Sequence, residues 1–283
     1  MSSPVQFPSR TTLPSRTPLR SRRGFPSHRG LPSRRRLLAL GRAELTLLVR
    51  NRTALFGALL VPLLMVEAVR SSLKSVDLGK AGTSIAEVAV TGAIGMALLI
   101  GVYSNLVAAF AARREALVLK RLRTGEPTDP EILTGIALPA ATLALAQSAV
   151  LTIGGIAVLD LPVPARPDLL LGGVVLGTVL LATLAAATSA VTRTPESAQL
   201  TALPLILISS IGSGLFVPLS MLPETLASVC ELLPVTGVMT LVRAGWSGDA
   251  AAGDLLGATA TAVAWILVSV FAVQRWFRWE PRR

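Results

Sequence analysis

The chain holds a single cysteine, a single histidine and a single tyrosine in 283 residues, and only 15% of it is charged. Cys230 has no partner for an intramolecular disulfide or a multi-cysteine metal site. His28 lies near the N-terminus, so no histidine stands among the apolar segments to ligate a metal or serve as a base. The zinc-peptidase pattern, which needs two histidines, is therefore missing. Gly212-Ser213-Gly214 resembles a serine-nucleophile turn only superficially: position 211 is Ile and no base is at hand, so a bend or packing role is expected. The phosphate-cradling loop is missing as well. Gly79-Lys80-Ala81 has neither the upstream glycine nor the hydroxyl, and the chain is not expected to be an enzyme or to hydrolyse ATP by itself.

What is abundant is apolar sequence. Hydrophobic residues make up 52% of the chain and mean hydropathy is +0.63, too high for a soluble domain of this size. Crossing about 30 Å of hydrocarbon takes about 20 apolar residues. Six stretches qualify: Thr53 to Val69, Glu87 to Ala111, Leu133 to Leu159, Leu169 to Val191, Leu200 to Leu219 and Leu255 to Val273. A seventh, Leu222 to Leu241, carries Pro223, Glu224, Glu231, Pro234 and Gly237, which suits a re-entrant or interfacial helix. The fold expected is all-α: six transmembrane helices with that re-entrant element before the last.

The net charge of +11 is not spread evenly, and its placement argues against a nucleic-acid partner. With the N-terminus cytoplasmic, 16 basic residues from Arg34 onward fall inside and five outside. The positive-inside rule thus places both termini in the cytoplasm. Trp276, Phe277 and Trp279, interleaved with Arg275 and Arg278, read as an interfacial belt closing the last span.

Residues 1–33 repeat Pro-Ser-Arg and contain no acid, so they cannot build a core and read as a solvated tail. From Arg34 to Arg52, leucines alternate with Arg42, Glu44 and Arg50 as in an amphipathic helix lying on the membrane. Residues 34–283 form the membrane domain.

In lipid, helices associate through small residues. Ala89, Ala93, Ala97, Gly101, Asn105 and Ala109 form one fourfold stripe, and Ala140, Ala144, Ser148 and Thr152 another. Asn105 and Gln147 are the polar exceptions in these two spans. With Ser209 and Ser210 in the proline-containing fifth span, and Glu67 and Glu231 near the ends of apolar segments, they are candidates for a transport path or gate.

Ala112 to Ile132 is the most distinctive soluble segment. It reads as a short charged helix, Arg113-Arg114-Glu115 through Arg123, stopped by Gly125 and Pro127. Here the chain resembles the membrane subunits of type-2 ATP-binding-cassette exporters, especially drug-efflux permeases. The resemblance rests on Glu44, Arg50 and Asn51, on Glu115 with Leu119-Lys120-Arg121-Leu122-Arg123-Thr124-Gly125, on Ser197-Ala198-Gln199, and on Phe216-Val217-Pro218, Leu222-Pro223 and Leu233-Pro234. It runs from about Arg34 to the C-terminus. It implies a half-transporter that forms a homodimer or heterodimer and docks onto separate ABC ATP-binding subunits, which bind ATP and Mg. The coupling contacts would come from Arg113, Arg114, Glu115, Lys120, Arg121, Arg123, Thr124 and Gly125, with Glu44 on the amphipathic helix. Export of a drug, antibiotic or lipid-like amphiphile across a bacterial plasma membrane is the implied activity. The competing reading is a non-transporting anchor or assembly subunit.

Overall fold

Backbone polar groups in hydrocarbon find no water, so the chain must satisfy them within its own coils. The computed structural model describes residues 85–124, 128–215, 222–277 and 279, with isolated positions 46, 60, 64, 67 and 71. All belong to the unit Pro32–Arg283. The elements are α1 (Ile85–Met96), a π-helical segment (Ala97–Ser104), α2 (Asn105–Glu115), α3 (Val118–Arg123), α4 (Asp129–Leu159), α5 (Pro167–Ser189), α6 (Ala198–Gly212), α7 (Glu224–Glu231), α8 (Pro234–Ser247) and α9 (Ala252–Trp276). No strand occurs among the described residues.

Among the described residues, four helices are long and apolar enough to cross a membrane: Ala86–Glu115, which joins α1, the π segment and α2, together with α4, α5 and α9. The bent pair α7 and α8 makes a fifth if counted as one broken span. Apart from the isolated positions 46, 60, 64 and 67, the expected first span and the amphipathic segment lie outside the described residues. The expected fifth span, 200–219, is corrected. Helix α6 has 15 residues, roughly 22 Å at about 1.5 Å per residue, too short for about 30 Å of hydrocarbon. It ends because Gly214 adopts φ 67, the left-handed geometry that terminates helices. By contrast α4, with 31 residues, is roughly 46 Å long. Its start is fixed by Thr128, whose backbone N–H and hydroxyl donate to Glu131 Oε2 at 2.7 and 2.9 Å, supporting the free amide end.

The expected re-entrant stretch is helical on both sides of a 96° bend between α7 and α8. Pro234 starts α8 without an N–H, and Leu233 before it is extended at ψ 146, as a residue preceding proline prefers. Carbonyls released at this break are taken up by side chains. Thr236 donates to Cys230 at 2.6 Å, and the Trp265 indole of α9 donates to Leu232 at 2.9 Å.

The core gathers around α8, of which only Thr240, Arg243 and Ser247 are not buried. It packs against both α5 and α9, which also meet each other. Two glycines permit this approach. A methyl at Gly237 would collide with the Ala258 carbonyl, and one at Gly245 would lie 2.7 Å from Leu170 Cα. A methyl at Gly172 on α5 would meet nothing within 4 Å. Gly245→Leu is expected to destabilise the protein by about 1–3 kcal/mol through overpacking, whereas Gly172→Ala leaves the detergent-phase unfolding temperature unchanged or raised. Equal unfolding temperatures for the two variants would refute this packing account.

In the second span Asn105 leaves the buried face of its stripe. The small-residue stripe is buried through Ala89, Ala93, Ala97 and Gly101, but Asn105 is exposed. In the π segment, hydrogen bonds run from i to i+5, and the Asn105 N–H accordingly reaches Ile100. Ile100 and Asn105, joined by this bond, are both exposed. The Asn105 side chain donates to the Gly101 carbonyl at 3.3 Å.

Candidate functional site

One end of the bundle gathers the charged segment singled out in the sequence. It is not one helix from Glu115 to Gly125, as expected. Glu115 ends α2, the chain turns through Ala116 and Leu117, and α3 contributes only Val118–Arg123. Leu117 has φ 57, a conformation that costs a non-glycine residue of order 1–3 kcal/mol and persists only when its surroundings enforce it. The turn is secured by Leu117 N–H to Arg114 O and Arg121 N–H to Leu117 O, each at 3.0 Å. Leu119 is fully buried and anchors α3 to the core. Glu115, Ala116, Leu117, Arg121 and Thr124 are exposed, and Thr124 donates its hydroxyl to Arg121 O at 2.8 Å. Arg113 is half-buried. Lys120 and Arg123 lie on α3, while Gly125 and Glu44 fall outside the described residues.

Arg114 departs from the expectation that it belongs to an outward docking surface. It is 2% exposed, and its guanidinium points inward, donating to Ser189 O at 2.7 Å and to Thr192 O. Those carbonyls close the C-terminal end of α5, where a cation complements both the unpaired acceptors and the helix dipole. Movement of the α2–α3 turn is thereby tied to the helix against which α8 packs most.

The end of the π segment makes two further ties. Tyr103 shares a 3.1 Å hydrogen bond with Thr188 on α5, and Ser104 donates to Gln199 on α6 at 3.0 Å. The turn before α6 is held by reciprocal bonds between Thr194 and Ser197. Glu196 within it is exposed, and its own backbone N–H, then the Thr194 hydroxyl, hold its carboxyl below the usual range.

Beneath the turn lies an apolar cavity of about 470 Å³ between α4, α5 and α9, lined by Phe110, Leu133, Ala182, Ala186, Val273 and Phe277 among others. Phe277 packs edge-on against Phe110 at 6.2 Å and Trp279 at 5.0 Å. The expected aromatic belt therefore divides: Trp276 is exposed, whereas Phe277 and Trp279 are half-buried in this wall.

Among the path candidates, Gln147 is buried against Gly101, to which a methyl would bring its Oε1 within 3.0 Å. Ser209 is buried, and Ser210 lies 3.6 Å from Met96 Sδ. Glu67 and Glu231 are exposed. Glu231 lines a cleft of about 390 Å³ with Asp254, Thr236, Thr240 and Thr261 at the end of the bundle opposite α3. These residues do not converge on one place.

Residues 35–246 match the ABC-2 type transporter family. The chain belongs to that family. It is an ABC transporter permease and a multi-pass membrane protein, and membership implies an ATP-binding partner subunit. The matched region runs from before α1 to Trp246, one residue short of the end of α8, and does not reach α9. No curated protein matches the chain.

Sequence reasoning names Arg114 as a coupling contact without its inward direction, and it places Arg243 among the five outside charges although that residue lies within α8. A lone cation amid Val238–Trp246 was the signal at hand, since ionisable residues in apolar helices mark special sites. For Arg114 no such signal existed. Arg114→Met leaves buried carbonyls without donors and is expected to cost about 1–3 kcal/mol, lowering the unfolding temperature in detergent. Arg121→Ala, on the exposed face, leaves that temperature within error of wild type. An Arg114→Met protein as stable as wild type would refute the inward anchor.

Proposed function

We propose that this permease exports an amphiphilic, drug- or lipid-like substrate from the cytoplasm of a bacterial cell. It acts as one half of a dimer and is driven by a separate ATP-binding subunit that carries the ATP and Mg. The chain itself contributes no catalytic step. The observation that carries the proposal is the α2–α3 turn: exposed Glu115, Leu117, Arg121 and Thr124 stand on and around a short helix pinned by buried Leu119, beside an arginine that grips α5. An ATP-binding subunit closing on this surface can push the bundle as a body instead of merely deforming a loop.

The apolar cavity behind the turn supports the substrate class. Its size falls within the roughly 300–1,000 Å³ range of small-molecule sites, and its walls are aliphatic and aromatic. It would hold an apolar body, with Asp129, Thr134, Thr183 and Gln274 as the polar groups among its lining.

In vesicles containing the permease and its ATP-binding subunit, the double variant Glu115→Ala, Arg121→Ala should insert normally and lose at least about tenfold in ATP-driven export, a barrier change of about 1.4 kcal/mol. Normal export in this variant removes the coupling assignment. A wild-type complex that assembles without moving any amphiphile would instead identify a non-transporting anchor. Ala182→Phe, which fills the cavity, is expected to raise the half-saturating concentration of an exported amphiphile by about tenfold, equivalent to about 1.4 kcal/mol of binding. An unchanged concentration dependence excludes the cavity from the substrate path.

A further inference from the structure

Arg243 projects from α8 toward the end of α6, away from the α3 end. Its Nε donates to Met239 O on its own helix at 3.1 Å, Nη2 to Ser213 O at 3.2 Å and Nη1 to Gly214 O at 3.3 Å. Among the described residues its partners are these three carbonyls. The planar fork of a guanidinium can bind several acceptors at fixed angles, which a lysine ammonium cannot reproduce. Two of the acceptors sit just past the last residue of α6, where the helix leaves carbonyls unpaired and its dipole favours a cation.

The surroundings make this a joint between two bodies. Gly214 presents a bare face at φ 67, and a methyl there would lie 2.6 Å from Arg243 Nη1. Gly212 lies against Leu233 and Cys230 of the α7–α8 bend, and a methyl on it would stand 3.3 Å from the Cys230 thiol. Cys230 is buried, and it is the only cysteine in the chain. Thus the end of the short α6 is held to the bent pair by one arginine fork, one glycine face and one small apolar contact.

We infer that Arg243 is a positioning residue for transport: it sets the closed state of the joint between α6 and the α7–α8 bend, and this joint parts during each cycle. The inference rests on the permease reading, since a carrier driven from the α3 end must open at its opposite end. Carbonyl acceptors suit a joint that reopens. They hold the guanidinium in a defined geometry, and neither partner is left as a bare buried carboxylate when they separate.

Cys230 supplies the test. Permease and ATP-binding subunit are reconstituted together, and a membrane-impermeant maleimide is added on the side opposite the ATP-binding subunit. In the wild-type complex, Cys230 should label at least about tenfold faster during ATP turnover than without nucleotide, reporting a shift between two populated states. In Arg243→Lys, labelling should be fast with or without ATP, and ATP hydrolysis should continue while export falls about tenfold. Gly214→Ala keeps the arginine but occupies its seat, and should behave in the same way. If Arg243→Lys does not fold, Gly214→Ala decides the matter. Nucleotide-independent labelling in a wild-type complex that exports overturns the inference, as does slow, wild-type labelling in a folded variant. Absence of export from the wild-type complex is a failure of the permease reading, and is distinguished by that control.

Discussion

A helix ends with four carbonyls that have no partner along the chain, and in an apolar solvent each must find a donor inside the protein. Much of the permease's architecture answers that demand. Arg114 serves the end of α5 and Arg243 the end of α6. At the break between α7 and α8, Thr236 and Trp265 take the carbonyls of Cys230 and Leu232. Each of these donors comes from another element or from across a bend, so satisfying the backbone also fastens the parts together. The short α6 and the bent α7–α8 pair are possible only because such donors exist where the coils stop.

The fold class was legible because hydropathy reports solvent. Long apolar runs with polar punctuation specify helices in lipid, and α4, α5 and α9 begin and end within a few residues of their expected limits. What hydropathy does not carry is where an apolar run ceases to be helical. Leu200 to Leu219 is predominantly apolar, yet α6 stops at Gly212 because two glycines and an arginine reached from α8 favour a turn there. Only the tertiary contact decides between a bend and a full crossing.

The candidate site was legible in outline for a similar reason. Charge placed the α2–α3 segment at one end of the spans, and the family resemblance gave it a purpose. The direction of each side chain is not written in the charge pattern. Arg113, Arg114 and Glu115 are neighbours in sequence, but a helix sends successive residues about 100° apart, so one of three adjacent charges turns inward. Asn105 leaves the buried stripe for a subtler cause. A stripe at fourfold spacing presumes α geometry, whereas the hydrogen bonds from Ala97 to Ser104 join residues five apart and widen the turns. The same turns bring Tyr103 and Ser104 to bear on α5 and α6.

The chemistry of Arg243's acceptors has a bearing on where such a permease can work. Peptide carbonyls do not titrate, and a guanidinium keeps its proton through acid and neutral surroundings. A joint built on arginine and carboxylate would weaken as the medium acidified. Among the described residues the Arg243 fork itself holds peptide carbonyls, so it has no carboxylate of its own to lose as the medium beyond the membrane acidifies.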